Sequence, residues 1–219
     1  MIEYKQGPRV RPAIARTPGP TRAAGPAILS GLAWVCGPML VSATALADAP
    51  ATHFSLDQTK SSLKFGFVQS GAKNEGKFTK FPVVLDASPD GATVSRLDVT
   101  VDMSTMDSGD KERDDTLRGP DLFSVAKFPQ AHFTATQIVK TANGFDAVGK
   151  LTLRGVTRDQ HVPFTFRVAN EQGHTVGYLA GTTTVHRLDY GVGQGDWKST
   201  EWVGNDVTVT YVVRLVAGQ

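Results

Sequence analysis

The chain has 219 residues, 23 Lys and Arg against 21 Asp and Glu, a formal net charge of +2 and one cysteine, Cys36. A lone cysteine excludes an internal disulfide framework. A nearly balanced charge excludes a uniformly basic nucleic-acid binder, although the charge is unevenly placed along the chain.

Met1 to Pro26 is basic and rich in Pro, Ala and Gly, with Arg9, Arg11, Arg16 and Arg22. The apolar run AILSGLAWVCGPMLVSATALA follows and ends in Ala45-Leu46-Ala47. A positive segment, an apolar segment and a small-x-small site predict a secretory signal peptide over residues 1–47, cut after Ala47. The competing reading is a membrane-anchoring helix. Gly31, Gly37 and Pro38 interrupt the run, and the Ala-x-Ala end favours cleavage. The positive segment is longer than usual, which leaves the true translation start open. No twin-arginine pair is present, so export of the unfolded chain into the periplasm is predicted. The leader carries Lys5, four arginines and Glu3, a net of +4, so residues 48–219 keep −2 of the chain's +2. Cys36 leaves with it. The remainder has the length of one domain, and its stability must come from a core.

Past Ala51 the dominant period is two. SSLKFGFVQS puts Leu63, Phe65 and Phe67 on one face, and FPVVLD aligns Phe81, Val83 and Leu85. SRLDVTVDM aligns Leu97, Val99, Val101 and Met103 against Arg96, Asp98, Thr100 and Asp102. AHFTAT gives Ala131, Phe133 and Ala135, and GKLTLR gives Gly149, Leu151 and Leu153. HVPFTFRVA sets Val162, Phe164, Phe166 and Val168 on one face, and DVTVTYVVRL sets Val207, Val209, Tyr211, Val213 and Leu215. Such alternation marks strands with one wet and one dry face. Turn signals fall between them at Pro89-Asp90-Gly91, Asn143-Gly144, Gly155, Gln172-Gly173 and Gly204-Asn205. Eight or nine short strands at this spacing predict a barrel or sandwich. The dry face is heavy in phenylalanine but also takes Ala131, Ala135, Gly149, Ala180, Thr182 and Thr184. A small barrel with such a face can hold one ligand, or the small residues can be matched by large ones opposite; periodicity leaves both open.

One stretch breaks the pattern, DSGDKERDDTLRGPDLFSVAKFP, between Met103 and Ala131. Pro120 and Asp121 predict the start of a short helix, which Pro129 ends. Leu122, Phe123, Val125, Ala126 and Phe128 form an apolar block predicted to bury at one mouth of the barrel, as a lid or as a plain covering segment. The charged half (Asp110, Arg113, Asp114, Asp115, Arg118) reads as solvated and self-paired.

Enzymatic constellations are not found. The histidines, His53, His132, His161, His174 and His186, have no partner at metal-ligand spacing, so no metal site is predicted. His186, beside Arg187 and Asp189, reads as structural. Ser70 in VQSGAK lacks the glycines of a nucleophile elbow. GVGQGD from Gly191 opens no helix, as a dinucleotide site requires. The acids from Asp110 lack the calcium-loop glycine. No catalytic residue and no cofactor is assigned.

The interrupting stretch also carries a family resemblance. Arg113-Asp114, Leu117, Asp121-Leu122-Phe123 and Phe128-Pro129 ahead of Phe133 resemble the YceI-like family of exported bacterial polyisoprenoid- or lipid-binding proteins. Phe54 to Phe81, with Gly76 and Phe78, resembles the family's opening strands. GKLTLRGVTRDQHVPFTF is similar to its G-x-L-x-L-x-G-V-T hairpin, and RLDYGVGQGDW with VGNDVTV resembles its closing segment. The resemblance covers nearly all of residues 53–217. A histidine frequent in the second strand is absent, with Gly66 and Phe67 there. Asp114-Asp115-Thr116-Leu117 stands where Asp-x-His-Leu is frequent. Both departures remove a histidine contact to a ligand head group.

The resemblance implies an all-β fold, a lipocalin-like eight-stranded antiparallel barrel with short helical segments capping one end. It implies an exported soluble protein that holds a long-chain isoprenoid lipid, a polyprenol or isoprenoid quinone, as carrier, buffer or store. The lumen lining predicted is Phe65, Phe67, Phe78, Phe81, Val99, Val101, Phe123, Phe133, Leu151, Leu153, Phe164, Phe166, Tyr178, Val209 and Tyr211. The two tyrosines could aim a hydroxyl at a polar group. Leu122, Phe123 and Phe128 are expected to close one end, with Arg113, Asp114, Leu117 and Asp121 ordering that loop. A homodimer and a transient contact with a membrane or membrane protein stay open, and no nucleic-acid partner is expected. Two other readings remain: a filled barrel acting as an interaction or stress-response module, and an enzyme acting on a lipid in the cavity.

Overall fold

A computed structural model describes residues 51–218, so the expected leader lies outside the described residues. The strands are β1 (Thr52–Leu56), β2 (Ser62–Gln69), β3 (Ala72–Phe78), β4 (Val83–Ala87), β5 (Val94–Asp102) and β6 (Met106–Asp107). After helix α1 (Lys111–Arg118) come β7 (Gln130–Thr141), β8 (Gly144–Leu153), β9 (Val156–Glu171), β10 (His174–His186) and β11 (Asp206–Ala217). All pairings are antiparallel, and they make eight staves, because the first six segments are three staves each broken once. β1 and β2 both lie along β11, with Leu56 opposite Leu215 and Leu63 opposite Tyr211. β3 pairs β2 while β4 pairs β1, and β6 pairs β3 while β5 pairs β4. β7 to β11 continue the meander, and β1 against β11 closes it.

Each break has a local cause. Asp57 caps a 3-10 turn between β1 and β2 by accepting from Thr59 N, and Asp102 caps another between β5 and β6 by accepting from Ser104 N. Pro82, which cannot donate to a ladder, sits between β3 and β4. Arg214 stitches the first break, with Nη1 2.6 Å from Asp57 Oδ2.

Most of the expected alternation is observed. Phe65, Leu85, Leu97, Phe133, Phe164, Tyr211 and Leu215 are all buried, and their strand neighbours face water or are half-buried. The end holding β1 is packed solid: Phe54 meets Phe166 edge-on at 5.7 Å, and Phe145 stacks on Phe164 at 5.4 Å. The first six strands are short, as expected, but the later ones are longer, with β9 running 16 residues.

Two expectations are corrected. In β10 the inward set is Leu179, Gly181, Thr183 and Val185, while Thr182 and Thr184 are exposed and Ala180 sits on their face. A Cβ at Gly181 would stand 2.3 Å from Pro163 O and 2.7 Å from the Tyr211 hydroxyl, so glycine there makes room for a ring that enters from β11. The second correction moves the helix. It spans Lys111–Arg118, in the charged half, while Pro120 to Phe128 is a series of turns. Asp110 accepts from Arg113 N at 3.0 Å and so supplies the N-cap, a signal stronger than proline at the first turn.

Connections at the packed end are short. The two long ones, residues 108–129 and 187–205, both lie at the opposite end, where β2, β8 and β10 also finish. That end is the mouth.

Candidate binding cavity

Toward the mouth the barrel is hollow. An inner cavity of about 180 Å³ is walled by side chains from all eight staves. Eleven of the fifteen predicted lining residues stand in that wall: Phe65, Phe78, Phe81, Val99, Val101, Phe123, Phe133, Leu151, Leu153, Val209 and Tyr211. Leu63, Val83, Leu97, Met103, Leu179, Val185, Val207 and Val213 join them. Most share a period with a named neighbour, so the sequence signal for them was present.

The other four fall elsewhere. Phe164 and Phe166 belong to the packed end. Phe67 lines an outer chamber instead. Tyr178 lies outside the barrel, because its strand has the opposite parity from the one expected. Its hydroxyl donates to Glu171, and the Arg167 guanidinium lies 3.9 Å from its ring centroid. Arg214 Nη2 completes this outer network at 2.7 Å from Glu171 Oε2. Tyr211 does enter the lumen, but its hydroxyl is committed to Pro163 O at 2.5 Å. Burial pushes that phenol's pKa well above the usual range.

Polar groups in the inner wall are likewise committed. Gln160 Nε2 donates to Thr183 Oγ1 at 3.0 Å, and Thr183 Oγ1 donates to His161 O at 2.7 Å. Neither residue is legible as lining, because a polar residue at an inward position reads as outward. With its donors turned into the wall, the inner cavity presents an apolar surface.

An outer chamber of about 270 Å³ adjoins it. Phe65, Phe123, Arg187 and Val207 stand in the walls of both, so Phe123 is at the boundary. The chamber's own wall comes from β2 (Phe67, Gln69), the α1 region (Asp110, Glu112, Arg113, Thr116, Leu117), Leu122 and the last long connection (Val192, Trp197, Val203).

The interrupting stretch is therefore the roof of this chamber. Asp114 is only 7% exposed and accepts from Ser108 N at 2.9 Å, which folds the loop entering α1 back onto the helix. Lys111 and Arg118 pair with Asp115 at 2.5 and 3.4 Å, the self-pairing expected of the charged run. Arg113 faces the chamber and lies 3.8 Å from Asp110. Past the helix, the Asp121 carbonyl accepts from Gly193 N and Gln194 N at 3.0 and 2.8 Å and ties the two long connections together. Leu122 is buried with Val185, Tyr190 and Val192. Phe128, expected to help close the lumen, stands in the wall of neither chamber. It covers Gly155 in the β8–β9 turn, where φ is +75° and a Cβ would meet its ring at 2.5 Å.

The structure adds a residue that sequence reasoning passed over. Arg187 is 4% exposed and has no carboxylate partner among the described residues. Its guanidinium donates to five backbone oxygens, those of Gly204 (2.9 Å), Val192 (2.9 Å), Trp197 (2.7 Å), Ser199 (3.3 Å) and Val203 (2.7 Å). It holds the last long connection in shape, and burial pushes its pKa down. No local pattern marks it, because its partners are carbonyls of an irregular loop. His186 beside it is exposed and pairs with Asp206 at 2.8 Å. Among the described residues no group of three or more His, Cys, Asp or Glu is placed to hold a metal, and no helix is long and apolar enough to cross a membrane.

Known proteins are similar to this chain in sequence or in fold. A UPF0312 protein of Vibrio vulnificus is 29% identical over 149 residues, 66% of this chain and 75% of its own length. The crystal structure of BcnA from Burkholderia cenocepacia superposes with a TM-score of 0.65 at 29% identity, covering 73% of this chain and 98% of that one. A polyisoprenoid-binding domain from Saccharophagus degradans, implicated in plant cell wall breakdown, has the same fold. Its TM-score is 0.52 at 19% identity, with 75% and 98% of the two chains covered. The YceI-like domain model matches residues 54–215, all eight staves and both long connections, and the chain belongs to that family.

Proposed function

We propose that this protein binds a long-chain isoprenoid lipid, a polyprenol or isoprenoid quinone, with the tail in the inner cavity and the head in the outer chamber. The supporting observation is the inner wall, in which Gln160, Thr183 and Tyr211 spend their donors on the protein and leave an apolar surface. An apolar tail there is held by removal from water, about 0.8 kcal/mol for each methylene. Neither chamber alone has the roughly 300–1,000 Å³ usual for a ligand pocket; swinging Phe123 aside joins them. The polyisoprenoid-binding domain from Saccharophagus degradans supports lipid as the ligand class. The role is that of an exported, periplasmic carrier, buffer or store rather than an enzyme, with the leader ending at Ala47 removed on export.

Native mass spectrometry of protein isolated from the periplasm without detergent, followed by organic extraction, tests this. A discrete added mass that extracts as an isoprenoid is expected. A bare mass, unchanged after incubation with quinones and polyprenols, overturns the reading in favour of an interaction module. The packed end around Phe54 would be its natural core.

A further inference from the structure

The head of a lipid seated this way meets an unusual balance of groups in the outer chamber. Two carboxylates, Asp110 and Glu112, face two guanidinium groups, Arg113 and Arg187, so the formal charge of the lining is zero. The cations are not equally available. Arg187 has turned its whole hydrogen-bonding edge to five backbone oxygens of its own loop. Arg113 lies 3.8 Å from Asp110, with Glu112 one residue away. The Thr116 hydroxyl donates back to Glu112 O at 2.9 Å. Gln69 and Trp197 bring the neutral amide and indole donors, flanked by the Phe67 ring.

We infer that the outer chamber selects an uncharged, hydrogen-bond-accepting head, such as an alcohol or a carbonyl-bearing ring, and rejects the phosphorylated form of the same lipid. This rests on the lipid-carrier reading above and adds to it which chemical form is carried. A phosphate monoester brings close to two negative charges at neutral pH and three strong acceptor oxygens. Here it would lie against two carboxylates with one partly engaged arginine to answer it; both carboxylates are solvent-exposed, so the repulsion is one that salt screens. Phosphate sites instead present free arginine forks or unspent backbone N–H groups. A neutral oxygen asks only for one or two donors of the kind Gln69 and Trp197 carry.

The test uses a single chain length, below its micelle-forming concentration. Geranylgeraniol and geranylgeranyl monophosphate compete for the purified protein against tritiated geranylgeraniol, at low salt and again at 0.5 M salt. The alcohol is expected to bind at least tenfold more tightly at low salt, with a smaller gap at high salt. Glu112→Lys makes the lining net positive, from an exposed helix position that holds no core contact, and is expected to close most of the gap. A gap under tenfold, a preference for the phosphate, or a gap that Glu112→Lys leaves unchanged overturns the inference while the carrier reading stands. Failure of tritiated geranylgeraniol itself to bind removes the carrier reading, and this inference with it.

Discussion

Tyr211 donates its hydroxyl to the backbone oxygen of Pro163 across the barrel interior, at 2.5 Å. β9 and β11 are not neighbours; β10 lies between them, and Gly181 on β10 leaves the gap through which the ring passes. The bond gives a part-buried carbonyl a partner and keeps a phenol from offering its hydroxyl to the lumen. Tyr211→Phe keeps the ring and orphans the carbonyl. A loss of about 1–2 kcal/mol in urea unfolding is expected, with lipid stoichiometry by native mass spectrometry unchanged. If lipid is lost in a well-folded Tyr211→Phe protein, the hydroxyl serves the ligand after all.

Phe123 is the residue on which access to the inner cavity turns. It stands in the wall of both chambers, on a segment pinned through Asp121 to the last long connection. Replacing it with Asp puts a charge against an apolar wall and should abolish lipid retention in a protein that keeps its circular dichroism. Phe123→Ala removes the partition without adding charge and should speed exchange of bound lipid severalfold. Retention unaltered in a folded Phe123→Asp protein would exclude a gate at this position.

The barrel was readable from sequence wherever apolar and polar residues alternate strictly, as in β2, β5, β8, β9 and β11. β10 misled because Thr182 and Thr184 alternate with Gly181 and Thr183, and neither set is apolar enough to declare its side; Tyr178 was carried outside with them. β3 was hidden by its composition, Ala-Lys-Asn-Glu-Gly-Lys-Phe, with Phe78 its one large apolar residue. The site was half legible for a related reason. Lumen residues are apolar and periodic, so pattern finds them. The outer chamber is assembled from two irregular connections whose contacts, Asp121 to Gly193 above all, have no period.

Arg187 shows how much of that chamber depends on one side chain. Lysine offers three donors from a point charge where arginine's fork spans five acceptors. Arg187→Lys therefore leaves at least two enclosed carbonyls unpaired. A loss of at least about 2 kcal/mol is expected, together with new protease cleavage between residues 193 and 205 under native conditions. A variant as stable and as resistant as the parent would mean that the loop is held by its apolar contacts through Val192 and Trp197.

Acid should act first at the breaks between staves. The Asp57 carboxyl is held below the ordinary value chiefly by the Thr59 hydroxyl, with Arg214 adding to it and partial burial opposing. Asp102 is lowered chiefly by the Ser104 hydroxyl, against the opposing cost of burial. A carboxylate with a lower pKa folded than unfolded binds protons more readily once the chain opens. Its stabilisation is therefore complete above the unfolded value, near about 3.9 for Asp, and is lost as pH falls through the lower folded value. Urea midpoints measured from pH 7 to pH 3 should hold nearly level and then decline below about pH 4. Asp57→Asn and Asp102→Asn each remove one of these carboxylates, so each should start from a lower midpoint at pH 7 and decline less steeply. Parallel curves for parent and variants would place the acid sensitivity elsewhere, with Asp107 and Asp115, also held low by hydrogen bonds to Gly109 N and the Lys111 ammonium, the next to replace.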